Sequence, residues 1–418
     1  MSFVRFLLDC VRQLLEGDRR YWAWVITLSV LALQGLVAYG QQLEHGLVTT
    51  GMHDHVPWGT YIANFGFLDG IAASSSLLLI AAFVFDQGYA RRVAMLGSGI
   101  AISASIACML FVVVDLGRPD RAWHLVPHLG ALNWPRSMLS WDVVALNGYL
   151  VLNVLVPTYA LYRTWQGRPL SARQLLPAAL LAIAWAILVQ SIIAFLFSAN
   201  VGRPFWHTAL LGPRFLASSF TAGSSLMILA FRWIDRETAF HIDGRLVRYL
   251  ALLAAVALQI NLFMLGNELF VSLYHPSEHS RSVEYLFFGH EGLHGLVPWI
   301  LTALTMQVTA CVILMIAPLR NHLGWLTVAC VLAIVGIWID KGMGLIVPGF
   351  IPDARGAYVE YQPTFSEARV SIAVWAIGLL IFTGLAKASI PIETGRVRKD
   401  GTPPAPPPEP AHATPAAA

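Results

Sequence analysis

Runs of roughly 20 mostly apolar residues recur from one end of the chain to the other, and no other feature limits its fold as strongly. A helix of that length crosses the hydrocarbon core of a bilayer, roughly 30 Å thick. The runs fall at 22–40, 60–86, 93–115, 142–163, 174–198, 209–231, 246–274, 292–318, 323–340 and 369–390. Each is expected to be a helix, because a helix satisfies its own backbone polar groups where no water can. Segment 341–350, "KGMGLIVPGF", either lengthens the ninth helix or forms a loop. Composition supports the same reading. Of 418 residues, 57% are hydrophobic and 12% charged, against roughly 25% charged in an average soluble domain.

The ends differ from the middle. In "MSFVRFLLDCVRQLLEGDRR", Phe3, Leu7, Val11 and Leu14 repeat at helical spacing, while Arg5, Asp9, Arg12 and Glu16 face away. Residues 1–20 are therefore expected to form an amphipathic helix in the membrane interface rather than a cleaved signal. Residues 21–391 form the transmembrane domain, and 392–418, rich in proline and alanine, an unstructured tail.

Charge sets the orientation. Eighteen of the 27 Lys and Arg residues fall in the termini and in short loops on one side, and the other nine lie opposite. By the positive-inside rule both termini are cytoplasmic, in a bacterial inner membrane. The basic residues are too scattered for nucleic-acid binding. The opposite loops are longer and rich in His, Trp, Pro and Gly. Ten of the 13 histidines lie on or near that side: His45, His53, His55, His124, His128, His207, His275, His279, His290 and His294. Chemistry or partner docking is expected there.

Two of those loops echo each other. "DLGRPDRAWH" (115–124) and "NVGRPFWH" (200–207) each follow an apolar helix, and each leads to a Pro-Arg pair before the next. The repetition suggests related helical hairpins, as in repeat-built membrane carriers. Gly, Arg, Pro and Trp are also ordinary boundary residues.

Cys10, Cys108, Cys311 and Cys330 are far apart, with no CxxC pair, so this chain alone builds neither an iron–sulfur cluster nor a zinc ribbon. A transmembrane haem needs axial histidines within the bilayer, and none lies in mid-span. "GHEGLHG" matches the zinc-protease pattern through His290, Glu291 and His294, and "FLDG" (67–70) resembles the aspartate segment of intramembrane proteases. The order of the two is reversed, however, and the first begins between glycines at a loop–helix junction. No metal site is expected.

Acids inside apolar runs need a reason. Asp69 lies about 15 Å along its helix from Trp58, and Glu268 sits within "LFMLGNELFV". At the outer mouth of the first helices, Trp58, Asn64, Arg118, His124, Trp141 and Asp142 form a candidate pocket for a small organic ligand such as a quinone. Its carbonyls need hydrogen-bond partners, and its redox chemistry moves protons. Asp69, Asp142 and Glu268 are the candidate proton carriers. The plainer alternatives are a helix cap for Asp142, a loop salt bridge for Arg118 and buried structural hydrogen bonds for Asp69 and Glu268. A proton-coupled transporter with an intramembrane acid fits the same residues.

"PWGTYIANFGFLDGIAASSS", "DLGRPDRAWH" and "NWPRSMLSWDVVALNGYL", in this order, resemble the NrfD/PsrC family of quinone-interacting membrane subunits, over residues 20 to 390. The style is closest to its HybB/DsrP-like branch. The resemblance implies an all-α polytopic protein of about ten helices, with two related four-helix bundles and extra C-terminal helices. It also implies a subunit inactive alone, without haem or iron–sulfur cluster of its own, that reacts with menaquinone or ubiquinone. Electrons would be exchanged with a periplasmic iron–sulfur protein, and multihaem cytochromes or other membrane subunits would complete the complex. The family's quinone pocket lies near the outer end of the first bundle, which here implicates Arg118, His124, Asp142 and the start of helix 60–86.

Overall fold

The computed structural model describes residues 2–126, 128–275 and 277–399. Among them, ten helices are long and apolar enough to span a membrane. A short helix, α1 (Ser2–Leu15), precedes them. The first five spans are α2 (Arg19–His45), α3 (Thr60–Val84), α4 (Ala94–Asp115), α5 (Met138–Trp165) and α6 (Ala172–Ser198). Next come α7 (Leu211–Glu237) and α8 (Gly244–Tyr274). A surface helix, α9 (Glu278–Phe288), lies within the loop that follows α8. The last three spans are α10 (Val297–Met315), α11 (Leu323–Phe350) and α12 (Phe365–Glu393).

Packing groups the spans. Helices α3, α4, α5 and α6 each touch two neighbours and close a four-membered ring, and α7, α8, α10 and α11 close a second. The rings meet where α3 and α6 pack on α7. The two remaining spans come from opposite ends of the chain: α2 pairs with α12, and α12 packs on α4. All-α architecture, two bundles and ten spans agree with the sequence reading, with one of the extra helices N-terminal.

Burial follows this layout. Every residue of α3 from Thr60 to Ser74 is buried, because three sides of the helix face protein. By contrast, α2 leaves Ile26, Val30, Leu33 and Val37 exposed on one face, as suits a helix against lipid tails. Helix α1 exposes Phe3, Leu7 and Val11 but buries Phe6 against Trp165 and Ile392. Its Asp9 accepts a 3.1 Å hydrogen bond from Trp165 Nε1.

One open boundary is settled, one boundary moves, and the echoing hairpins are not equivalent. Segment 341–350 continues α11 through a wide turn over Gly342–Ile346 and a tight one over Val347–Phe350. The tenth span extends to Glu393, and Lys399 N donates to Trp165 O at 3.0 Å, so the expected tail boundary at 392 moves outward. Residues 400–418 of that tail lie outside the described residues. The hairpins α4–α5 and α6–α7 that carry the sequence echo are also not equivalent. The first lies within one bundle and the second bridges both. The echo survives locally: Arg118 (φ −134°, ψ 69°) and Arg203 (φ −125°, ψ 83°) adopt similar backbones, each ahead of a proline that opens a 3-10 turn.

Candidate functional site

The two bundles meet along small residues. A Cβ on Gly70 of α3 would overlap Ser219 Oγ of α7, and a Cβ on Gly223 of α7 would overlap Ser74 of α3. Gly70 and Ser74 are four residues apart, as are Ser219 and Gly223, so each helix offers one small face to the other. Such spacing lets helix backbones approach closely in a membrane. The glycine of "FLDG" is thereby accounted for: it makes room at the crossing, and the same helical turn carries Asp69 beside it.

Asp69 is fully buried. Its Oδ2 accepts a hydrogen bond from Gln190 Nε2 of α6, while its Oδ1 has no hydrogen-bond partner among the described residues. Gln190 Oε1 accepts at 2.7 Å from Ser219 Oγ. Ser219 Oγ also lies 2.6 Å from Phe215 O, so its single hydrogen serves one of the two acceptors at a time. Lys341 of α11 is buried too; its Nζ donates to Ser219 Oγ and Gly66 O, each at 3.2 Å, and sits 4.5 Å from the Phe215 ring centroid. The polar chain Asp69–Gln190–Ser219–Lys341 therefore joins α3, α6, α7 and α11 across the bundle interface.

A second cluster follows directly. Asp340, next to Lys341, accepts from Arg214 Nη2 at 2.7 Å, and Glu268 of α8 accepts from Arg214 Nη1 at 2.7 Å. All three side chains are nearly inaccessible. Glu268 Oε1 lacks a hydrogen-bond partner, but His279 Nε2 lies 3.8 Å from it. His279 is about one-fifth exposed and its Nδ1 is 2.8 Å from Pro204 O in the echo loop. Glu268 thus lies between the buried arginine and a histidine near the surface.

The candidate pocket residues divide. Asp142 is buried with Oδ1 unpartnered, one helical turn into α5. Trp141 is half-buried, and its Nε1 donates to Pro135 O at 2.8 Å. Asn64 is buried but fully engaged: Oδ1 accepts from Trp338 Nε1 (2.9 Å) and Trp375 Nε1 (2.8 Å), and Nδ2 donates to Thr60 O (2.8 Å). It ties α3 to α11 and α12. Trp58 belongs to an aromatic group with Phe197, Trp206 and Phe350. Arg118 and His124 are not brought to Asp142. Arg118 pairs with Asp120 in the exposed loop, at 3.0 Å, and exposed His124 stacks on Trp123, with ring centroids 3.9 Å apart. Asp142 and Asn64 are buried within the bundle, whereas Arg118 and His124 stay in the exposed loop.

Arg214, Lys341, Gln190 and Ser219 escape the sequence reading. Arg214 and Lys341 fall among the nine basic residues opposite the basic loops, yet each is 3% exposed. A buried acid beside a nearby cation in the adjoining run is the signal that pairs them. Gln190 and Ser219 carry no such mark, since neutral polar residues are common in membrane helices.

The "HEGLHG" stretch is a turn, not a helix face. Glu291 and Gly292 have φ of 46° and 89°, His290 and Leu293 bridge backbone to backbone, and His290 stacks on Tyr358. Its two histidines therefore do not share a helical face as zinc-protease ligands would. Nearby, Glu367 at the start of α12 accepts from Tyr361 Oη (2.6 Å) and Gly51 N (2.9 Å). Tyr361 Oη in turn lies 2.8 Å from Thr60 N. Burial and the adjacent Glu367 carboxyl push the Tyr361 phenol well above its ordinary range, so it is a neutral donor that locks the loop-rich face over α3.

The profile of the family described as "Polysulphide reductase, NrfD" matches residues 48–351. A protein of Halobacterium salinarum, provisionally named as a membrane subunit of dimethyl sulfoxide reductase, is 27% identical, covering 86% of this chain and 88% of its own. The Hdr-like menaquinol oxidoreductase integral membrane subunit of Archaeoglobus fulgidus is 26% identical over 88% of this chain and 93% of its own. A selenate reductase subunit of Mesobacillus selenatarsenatis is 24% identical over 85% and 91%. This chain belongs to the polysulphide reductase NrfD family.

Proposed function

We propose that this protein is the quinone-reactive membrane subunit of a reductase complex, exchanging electrons with an extracytoplasmic iron–sulfur partner. The relatives' names support a subunit of such a complex, and one of them names menaquinol as its substrate. Interconverting quinone and quinol moves two electrons and two protons. The electrons pass to or from the partner docked on the loop-rich face, and further subunits complete the complex. The protons need carriers within the bundle.

The observation that carries this reading is the buried Asp69, with one oxygen held by Gln190 and the other free. A carboxylate at that depth is costly unless it is paired or functional, and a free oxygen is what a proton carrier presents. Asp142, nearer the mouth and also with a free oxygen, is the first group to meet the ring, with Trp141 beside it. Asp69 receives or supplies the proton next. Gln190 orients its carboxylate, and the Ser219 hydroxyl with the Lys341 ammonium offers the onward route. Glu268 and His279 form the second opening toward the loop-rich face. Asn64, engaged at both ends, holds the helices in place.

The test is to purify the intact complex, extract and quantify bound quinone, and compare turnover with quinone against turnover with an artificial dye. Asp142→Asn is expected to lower the quinone-coupled rate at least tenfold while the dye-coupled rate holds, in line with the typical loss of one acid–base group. Equal quinone-coupled rates in variant and parent would remove Asp142 from the pocket.

A further inference from the structure

A cleft of about 660 Å³ lies among α2, α3, α4, α7 and α12 and opens at the end of the protein that carries the basic loops. That size is typical of small-molecule sites, roughly 300–1,000 Å³. Its depth is lined by Leu68 and Ile71 of α3, Ala104 of α4, Leu229 of α7, and Trp375 and Phe382 of α12. The polar groups that reach it are already occupied. Ser103 Oγ donates to Gly99 O at 2.7 Å, Trp375 Nε1 to Asn64 Oδ1 at 2.8 Å, and Thr383 Oγ1 to Leu379 O at 2.7 Å. A carbonyl placed there finds no free donor among these, whereas a hydrocarbon chain finds continuous apolar wall.

The rim is different in kind. Arg20 of α2 and Glu237 of α7 pair at 3.3 Å, and Trp24 and Trp233 meet with ring centroids 5.5 Å apart. These contacts join α2 to α7 at the basic end of the cleft. Two cations remain beside them. Lys387 Nζ sits 4.7 Å from the Tyr21 ring centroid, and Arg396 is exposed. Neither is within ion-pair distance of a carboxylate among the described residues, whereas Arg20 beside them is. An apolar depth below two free cations, at a membrane boundary, fits an amphiphile with a hydrocarbon tail and an anionic head.

We propose that this cleft holds an acyl chain of an anionic glycerophospholipid, with the phosphate at Lys387 and Arg396. The lipid seals the seam between the α2–α12 pair and α7. Juxtamembrane cations attract anionic headgroups at about 1 kcal/mol each, so the two rim residues together set headgroup preference while the cleft sets occupancy. The headgroup rim is at the opposite end of the spans from Asp142, and the proposal stands independently of the quinone reading.

The experiment uses the intact complex, delipidated in detergent and titrated with dioleoyl phosphatidylglycerol, with native mass spectrometry and Tm as readouts. The parent is expected to retain this lipid on the chain and to gain Tm. Phosphatidylethanolamine should be retained more weakly, and glycerol phosphate, which lacks chains, should do nothing. Leu229→Trp, which fills the cleft, should abolish retention of both lipids. The rim variant Lys387→Ala with Arg396→Ala should fold with parental Tm in lipid-free detergent. Its preference for phosphatidylglycerol over phosphatidylethanolamine should fall by about 30-fold, the combined value of two such cations. Unchanged retention in Leu229→Trp, unchanged preference in the rim variant, a full Tm gain from glycerol phosphate, or recovery of an isoprenoid quinone from the cleft would each overturn the proposal.

Discussion

Gln190 of α6 gives its side-chain amide hydrogen to Asp69 of α3 and receives, on its oxygen, the hydroxyl of Ser219 on α7. One neutral side chain therefore connects a buried carboxylate in the first bundle to the second bundle and, through Ser219, to Lys341.

Gln190→Leu keeps much of the side-chain bulk and deletes both hydrogen bonds. A buried group left without its partner costs about 1–3 kcal/mol, so Tm should fall modestly. Quinone-coupled turnover should fall further than Tm explains, because Asp69 loses its orientation. Thermal unfolding and turnover on the same preparation separate the two effects, and a variant that loses stability alone would make Gln190 purely structural.

Arg214 holds two acids at once. Arg214→Met leaves Glu268 and Asp340 buried without their cation, a change expected to cost about 3–5 kcal/mol. Adding Glu268→Gln and Asp340→Asn to that variant should recover much of the loss, since neutral groups of similar shape tolerate burial. A chemical-denaturation series of the single and triple variants measures this, and a triple variant no more stable than the single one would contradict it.

The fold is legible in the sequence to the extent that composition dictates it. Spanning helices must be long and apolar, so their number and rough limits follow from hydropathy, and acids inside such runs stand out at once. Asp69, Asp142 and Glu268 are visible in this way. Their partners are not. Lys341 lies beside a glycine-rich stretch that reads equally as loop, and only the wide turn after it shows that the helix continues. Arg214 sits near a helix start and reads as a boundary cation. Gln190 and Ser219 matter because of what faces them across a crossing, and facing is a tertiary property. Arg118 and His124 are the converse: loop residues with suitable chemistry whose contacts here are Asp120 and Trp123.

The α3–α7 crossing has no room for a side chain at Gly70 or Gly223. Gly223→Val puts branched carbon where Ser74 already lies, and overpacking of this kind costs about 1–3 kcal/mol. The bundles must separate locally, so Ser219 and Gln190 are drawn apart as well. Both Tm and quinone-coupled rate should drop, whereas Gly266→Val, at a position where a Cβ meets open space, should leave the rate intact. Equal behaviour of the two variants would contradict a tight crossing.

On the loop-rich face, Asp353 accepts from Ala357 N at 2.9 Å and Arg355 N at 2.8 Å, and from His55 Nδ1 at 2.7 Å. The Ala357 and Arg355 amides, followed by His55, hold its carboxyl below the ordinary value of 3.8. A depressed folded-state value means the carboxylate supports this turn at pH above 3.8 and releases it as pH falls through the lowered value. The protection of the Arg355 and Ala357 amides against hydrogen exchange, taken relative to the intrinsic rate at each pH, should therefore be high at neutral pH and lost only in strong acid. In Asp353→Ala, which removes the acceptor, protection should be low throughout. Fast exchange in the parent at neutral pH would show that the carboxylate does not hold the turn.

The most direct measurement is rapid-mixing reduction or oxidation of quinone by the intact complex carrying Asp69→Asn, alongside Asp69→Glu and the parent. Asparagine keeps the size and can still hydrogen-bond, but it cannot carry a proton. With Asp69 as the carrier, Asp69→Asn slows quinone turnover by about 10²-fold or more, the usual worth of a positioned acid–base group. Dye-coupled activity should be unaffected, and Asp69→Glu should recover part of the rate. Parental quinone turnover in Asp69→Asn, with protons still taken up or released, would contradict a carrier role for Asp69.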